Sequence, residues 1–393
     1  MHILVIPSWF ETPKITTLGS FFKDQAIALT ERNHQVGIIY AQATSIKKFT
    51  HWYKKRYYTC NNQKVNIINT AYFTWPLMRK LNRLKRFEHF EKLFLEYSKK
   101  NGKPDIIHAH SVVSAAGGGA GLIANYLKDK YQIPYILTEH SSELHFNNYP
   151  EMEKSLMITA LIQAHSVIAV SNALANDLRK LIPSKKIAII GNIIDTKFFY
   201  PKETFNNTYH FVVIGYLRPI KRVDILIQAF AETLKTHNNI HLTIIGDGLE
   251  KSNLEALTHT LKIENKVTFT GELSRIKTSK ILNESDCYLS ASKYETFGVA
   301  IHEALSAGLH VISSNSQGPE EIIKELNEVI VAENDVYHFA QAMANKIKMN
   351  KPTMAEKNLK NNRIKELYST EAITLLLEEQ LTYPLSITKT KNV

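Results

Sequence analysis

Ser292-Lys293-Tyr294-Glu295-Thr296-Phe297-Gly298-Val299-Ala300-Ile301-His302-Glu303-Ala304-Leu305-Ser306-Ala307-Gly308 follows directly on the short run Cys287–Ala291. The run reads as a buried strand, Thr296-Phe297-Gly298 as a small turn, and the rest as a helix that ends near Gly308. A helix entered this way points its first amides at whatever lies beyond the strand, and those amides attract anions such as a diphosphate. Glu295 stands just before the helix and Glu303 one to two turns inside it. Carboxylates are poor phosphate ligands but good acceptors for hydroxyls, as on a ribose or a hexose. Taken alone, the two could equally be a helix N-terminal charge and a helix-surface charge.

The same strand-then-helix alternation runs along the whole chain. In the first half the strand candidates are His2–Pro7, Val36–Ala41, Val65–Asn69, Asp105–Ala109, Tyr135–Thr138, Val167–Val170 and Ile187–Ile190. Helices read at Gly19–Arg32, Met78–Lys100, Ala115–Lys130 and Asn172–Leu181. After Tyr200-Pro201 and a polar stretch, the pattern restarts with His210–Gly215 and continues through His241–Ile245, Lys266–Thr270, Cys287–Ala291, His310–Ser314 and Glu328–Val331. This predicts an α/β protein of two doubly wound domains, 1–200 and 201–370. Residues 371–393 form a C-terminal helix and tail that returns to the N-terminal domain, with a frayed end after Leu385. Such sheets bind ligands beyond the carboxyl ends of their strands, so the expected site is a cleft where the two domains face each other.

Composition excludes more than it assigns. Two cysteines far apart, Cys60 and Cys287, give no disulfide framework and point to a reducing compartment. The apolar start is too short for a secretion signal, and no uncharged stretch reaches the length of a membrane helix. A cytoplasmic protein is therefore expected. No DxD, no metal-spaced His/Cys/Asp cluster and no GxxxxGK[ST] loop is found, so neither a metal site nor a P-loop nucleotidase is expected. Of the net charge of +11, nearly all lies in the first half, and residues 47–103 hold 15 basic against three acidic residues. Trp75, Leu77, Met78, Leu81, Leu84 and Phe87 mix there with Arg79, Lys80, Arg83, Lys85 and Arg86. As a helix this is either a core-facing stripe with a solvated back or a surface that lies on an anionic membrane. No aromatic-basic RNA motif accompanies the charge, so nucleic acid is not an expected partner.

The Ser292–Gly308 stretch resembles the group-1 glycosyltransferases (glycosyltransferase family 4), retaining enzymes of the GT-B fold. Their pattern, roughly S-x-x-E-x-F-G-x-x-x-x-E-A-x-A-x-G, is met at Ser292, Glu295, Phe297, Gly298, Glu303, Ala304 and Gly308, with Ser306 for the usual Ala. Gly318-Pro319-Glu320-Glu321 resembles the family's next turn, and Val170-Ser171-Asn172 with Gly191–Pro201 the segment joining the domains. The resemblance runs from about residue 2 to 325, dense after 165 and thin between 40 and 104.

The resemblance implies transfer of a sugar, with retention, from a UDP- or GDP-linked donor to a glycan or lipid-linked acceptor, in cell-surface polysaccharide or glycolipid synthesis, without a metal. It also implies residue roles. Glu303 holds the ribose and Glu295 the sugar ring, with Phe297 and Gly298 at the diphosphate. In Gly215-Tyr216-Leu217-Arg218-Pro219-Ile220-Lys221-Arg222, Lys221 matches the family Lys, while Tyr216 stands where the family has Arg. Arg218 or Arg222 could reach the same phosphates. In Asp105–His110 the second His of the family's His-x-His is His110, which touches the donor sugar. Thr138-Glu139-His140-Ser141-Ser142-Glu143 resembles T-x-H-G-x-D and makes His140 and Glu143 acceptor or sugar contacts. Gly19, after the loop from Pro7, matches a family glycine that borders the diphosphate; a helix-entry glycine is the alternative. An epimerase or hydrolase of the same fold, or a non-catalytic nucleotide-sugar-binding scaffold, remain the competing functions.

Overall fold

The computed structural model describes residues 1–390 apart from 14–17, 46–53, 61–64, 76, 114–118, 148, 150 and 204–206. Thr16, Thr17, Ala115 through Gly118 and part of the basic segment therefore lie outside the described residues. The chain divides into two compact units, Met1–Ile193 with Ile373–Val393, and Ile194–Ala372.

The first unit is built on an eight-stranded sheet. Its strands are β1 (His2–Pro7), β2 (Gln35–Ser45), β3 (Arg56–Cys60), β4 (Val65–Thr74), β5 (Ile106–His110), β6 (Tyr135–Glu139), β7 (Ser166–Ala169) and β8 (Ile187–Ile189). They are ordered β3-β4-β2-β1-β5-β6-β7-β8. All neighbours pair in parallel except β3, which runs antiparallel to β4. The helices are α1 (Ser20–Glu31), α2 (Arg79–Asn101), α3 (Ala120–Tyr131), α4 (Glu151–Gln163) and α5 (Asn172–Leu181). β1, β5 and β6 are buried along their whole length, which is why they read as unbroken apolar runs in the sequence. The edge strand β3 carries no such run: its RYYTC pattern is mostly exposed, and the sequence reading passes over it.

The second unit holds β9 (Tyr209–Ile214), β10 (Ile240–Ile245), β11 (Val267–Gly271), β12 (Cys287–Ser290), β13 (His310–Ser314) and β14 (Val329–Val331), all parallel, in the order β11-β10-β9-β12-β13-β14. Its helices are α6 (Val223–Leu234), α7 (Lys251–Thr260), α8 (Arg275–Glu284), α9 (Val299–Ser306), α10 (Glu320–Glu325), α11 (Val336–Lys348) and α12 (Met354–Tyr368). Phe211, Phe230, Leu242, Leu289 and Phe339 fill the core on one face of the sheet. Both sheets are thus of the Rossmann-like, doubly wound type.

The boundary between the units falls before the expected Tyr200-Pro201. The Ile194 amide donates to Tyr368 O at 2.8 Å, Ser279 Oγ to Phe198 O at 2.5 Å and Ser306 Oγ to Phe199 O at 2.6 Å. These bonds tie 194–199 to the second unit, and a Pro cannot mark a boundary that backbone pairing has already passed. The last helix, α13 (Thr370–Thr390), belongs from Ile373 onward with the first unit. There Glu378 accepts from Arg32 at 2.5 Å and His34 at 2.7 Å, and Ser166 Oγ donates to Gln380 Oε1. The helix continues past Leu385 to Thr390, beyond the expected fraying point.

Candidate active site

In the second unit the strand order reverses between β9 and β12, and the loops that leave those two strands carry the strongest sequence motifs. Gly215 through Lys221 follows β9, and Ser292 through Gly298 follows β12. They are joined directly: Lys221 Nζ lies 2.5 Å from Glu295 Oε1. The same carboxylate oxygen accepts from Ser292 Oγ at 2.7 Å. The Glu295 backbone is clamped as well, its amide donating to Ser316 O at 2.9 Å and its carbonyl accepting from the Gly318 amide at 3.0 Å. A carboxylate held by side chain and backbone in this way is preorganised rather than free to rotate.

Gly298 starts α9 with φ 80°, a conformation that any larger residue resists, and a Cβ there would sit 3.2 Å from Pro319. The first-turn amides of α9 follow at once. Phe297 is buried; its ring stacks on His302 at 3.9 Å and meets Tyr368 edge-on at 5.2 Å. It therefore enters the site through its backbone, while its side chain fixes α9 to α12. Glu303 is half-buried on α9. Tyr288 on β12, whose hydroxyl donates to Ile214 O at 3.2 Å, locates both carboxylates. Burial pushes its phenol up, and the charges of Glu295 and Glu303 push it further. Gly215 leaves open space, with Lys221 Cε the one atom near its missing Cβ, at 3.9 Å. Arg218 is exposed, its guanidinium 4.7 Å over the Tyr216 ring. Arg222 turns to Asp224 instead, at 3.4 Å.

The remaining site candidates lie in the first unit, at the carboxyl ends of β5 and β6. β5 also borders its switch point, between β1 and β5. His110 Nδ1 lies 3.0 Å from His140 Nε2, and the ring of His110 packs against Phe22 at 4.6 Å. Burial pushes the imidazoles of His108 and His140 down to about 3 and that of His110 well below its ordinary value, so all three are neutral. His110 Nε2 and His140 Nδ1 have no hydrogen-bond partner among the described residues. Gly19 caps α1 with φ 71°; a Cβ there would press on Phe22 at 2.9 Å and Trp9 O at 3.1 Å. Glu143 sits half-buried in the turn after β6, its carboxyl raised by burial and by Glu153.

Glu139 is the residue the sequence reading missed. It is fully buried, and its carboxylate accepts from the amides of Val112 at 2.8 Å, His140 at 2.9 Å and Ser141 at 2.8 Å. It thereby fixes the loops behind both His110 and His140. A buried acid at a strand end was the available signal, since Asp and Glu are seldom buried without such work.

One three-residue cluster among the described residues has metal-like spacing: Glu333, Asp335 and His338. It lies at the surface at the start of α11, and Asp335 already serves as that helix's N-cap, accepting from the His338 amide at 2.9 Å.

Comparison with known proteins matches both units. Residues 195–366 fit the family of glycosyl transferases group 1, and residues 18–198 fit glycosyltransferase family 4. N-acetyl-α-D-glucosaminyl L-malate synthase of Bacillus anthracis is 27% identical over 56% of this chain and 59% of its own length. A phosphatidylinositol N-acetylglucosaminyltransferase of Arabidopsis thaliana is 24% identical over 76% of this chain and 63% of its own. The chain thus spans about six tenths of the length of these relatives. Among solved structures, HepE of Anabaena, crystallised with UDP, superposes with a TM-score of 0.71 over 97% of this chain and 100% of that one, at 16% identity, a likeness of fold. With one family pattern over each Rossmann-like unit, the chain belongs to the group-1, family-4 glycosyltransferases of GT-B fold.

Proposed function

We propose that this glycosyltransferase moves a sugar from a nucleotide-sugar donor to a glycan or lipid-linked acceptor with retention of anomeric configuration. The observation that carries the reading is the Lys221–Glu295–Ser292 arrangement beside the N-terminus of α9, at the switch point of the second unit. Lys221 and the α9 amides meet the charge of the departing diphosphate, so no metal is required of this site. Glu295 accepts from a sugar hydroxyl and Glu303 from the ribose. The bond from the anomeric carbon to the phosphate oxygen breaks, the acceptor oxygen bonds to that carbon on the same face, and the acceptor proton passes to the leaving phosphate. The UDP in the HepE structure supports a uridine donor, and the names of the two relatives support an N-acetylglucosaminyl group.

A melting-temperature panel of UDP-, GDP- and ADP-sugars tests this. A ligand that binds the native state alone raises the melting temperature by mass action. We expect UDP-sugars to stabilise the wild type and Glu303→Ala to lose the shift. No shift with any of the three at millimolar concentration would remove the donor site.

The acceptor side of the proposal is an anionic membrane at the cytoplasmic face. No described helix is long and apolar enough to cross a bilayer. The apolar stripe expected on α2 proves to be two sets of residues. Phe90, Leu93, Phe94 and Tyr97 face the core, whereas Leu77 is fully exposed, Met78 and Leu84 are each 49% exposed and Leu81 37%. Phe87 and Trp75 are partly covered, by Tyr126 and Lys85. Arg86 is buried, but Lys80 is exposed and Arg83 and Lys85 are partly so. Leucines flanked by lysines and arginines, with no acid between 77 and 87, suit an anionic headgroup layer. The protein is expected to pellet with phosphatidylglycerol-containing vesicles at low salt, and Leu81→Glu/Leu84→Glu to stay in the supernatant. Equal pelleting of both would exclude this face.

A further inference from the structure

We propose that Tyr216 and Arg218 work as one unit that supplies the second cation of the donor site: the Tyr216 ring holds the Arg218 guanidinium, which takes the donor diphosphate. This rests on the donor-site reading above and deepens it.

The argument is one of charge. Three cations leave the loop after β9: Arg218, Lys221 and Arg222. Lys221 is already matched by Glu295 at 2.5 Å, and Arg222 is turned to Asp224 at 3.4 Å. A diphosphate meeting the Lys221–Glu295 pair alone would face a nearly neutral partner. Arg218 makes no ion pair among the described residues; its contact is the face of Tyr216, 4.7 Å from guanidinium to ring centre. It is the uncommitted charge of the loop.

The backbone explains why these two side chains meet. Arg218 is extended, with φ −118° and ψ 158°, and residues two apart on extended backbone project to the same side. The segment is rigid: the Gly215 amide donates to Ile245 O at 3.0 Å, Leu217 to Asp247 O at 2.8 Å, and Lys221 to Arg218 O at 2.9 Å. Leu217, between the pair, is buried. An arginine stacked on an aromatic face keeps all its N–H donors in the ring plane for a phosphate, and loses less freedom on binding than one waving in water. Tyr216, itself 50% exposed, has no core to serve and is available as that platform.

Calorimetric titration of the whole chain with UDP, GDP and ADP, and with the matching monophosphates, tests the pair. Arg218→Ala is expected to bind the preferred diphosphate roughly tenfold or more weakly, with a smaller loss for the monophosphate. Tyr216→Phe keeps the wild-type affinity, and Tyr216→Ala shows a partial loss. Both residues are exposed, so melting temperatures should stay at the wild-type value. Wild-type affinity in Arg218→Ala overturns the proposal while leaving the donor site standing. Wild-type affinity in Tyr216→Ala, with Arg218→Ala weakened, overturns the platform. A wild type that binds none of the three diphosphates overturns both this inference and the donor reading.

Discussion

Glu295→Gln is expected to lower the turnover number by about 10²–10³ and to leave the melting temperature within about 2 °C of wild type. The variant keeps the shape of the side chain and its bond from Ser292, but it removes the charge that orients Lys221 and the acceptor for the sugar hydroxyl. The stability cost is small because the pair is partly exposed, with 28% and 17% of the Lys221 and Glu295 side chains accessible. Solvent screens such a pair to about 1 kcal/mol or less. Lys221→Met should cost a similar factor, and the double variant little more than either, since the two act as a unit. Steady-state kinetics with the donor identified by the melting panel measures this. Wild-type turnover in Glu295→Gln would take that residue out of the reaction.

The largest expected effect on stability lies away from the reacting groups. Glu328, before β14, is buried between Lys346 of α11 at 3.0 Å and Lys360 of α12 at 2.6 Å, and it also accepts from the Val311 amide at 2.9 Å. Burial alone would raise its carboxyl, but the His310 hydrogen bond and the two lysines bring it down to about 2. Glu328→Ala leaves two buried ammonium groups without their anion. That should destabilise the chain by about 3–5 kcal/mol, lowering the melting temperature of the second unit by roughly 6–20 °C. The triple variant Glu328→Leu/Lys346→Met/Lys360→Met should lose far less, because no charge is then stranded. The pH dependence has a definite sign. The folded carboxyl lies below the ordinary 4.5 of an unfolded one, so its stabilisation is complete above about 4.5 and disappears as the pH falls towards 2. Thermal unfolding scanned from pH 7 to 3 should bring the wild type and Glu328→Ala together at the acid end. A constant gap across that range would exclude the titration. The cluster matters to the site because α12 carries Tyr368, which packs on Phe297 and His302 at the head of α9.

Much of this could be read in advance where physics is local. Strands buried on both faces must be apolar throughout, so β1, β5, β6, β9 and β12 stand out in the sequence with ends within a residue or two. β3 does not, because an edge strand keeps one side to solvent and needs only its partner's backbone. The turn into α9 is equally local: a glycine at φ 80° after a strand and before a helix has few other uses. Arg86 shows the opposite case. Its place in a basic run reads as surface, yet α2 rotates it inward beside Tyr40 and Tyr72, whose phenols feel its charge.

Fold class, the two Rossmann-like units and the motif residues of the donor site were all legible along the chain, since each depends on periodicity, turn chemistry or spacing within one short segment. What those residues do to one another comes from the folded arrangement. Folding bound Lys221 to Glu295 across 74 positions, withdrew Phe297 into a stack with His302, and turned Arg222 away towards Asp224 while leaving Arg218 on Tyr216. It also set Glu139 behind His110 and His140, and put Leu81 and Leu84 outside while Phe90 and Leu93 went in. Charge pairing and burial depend on which surfaces the fold brings together, and no local pattern in a single chain carries that information.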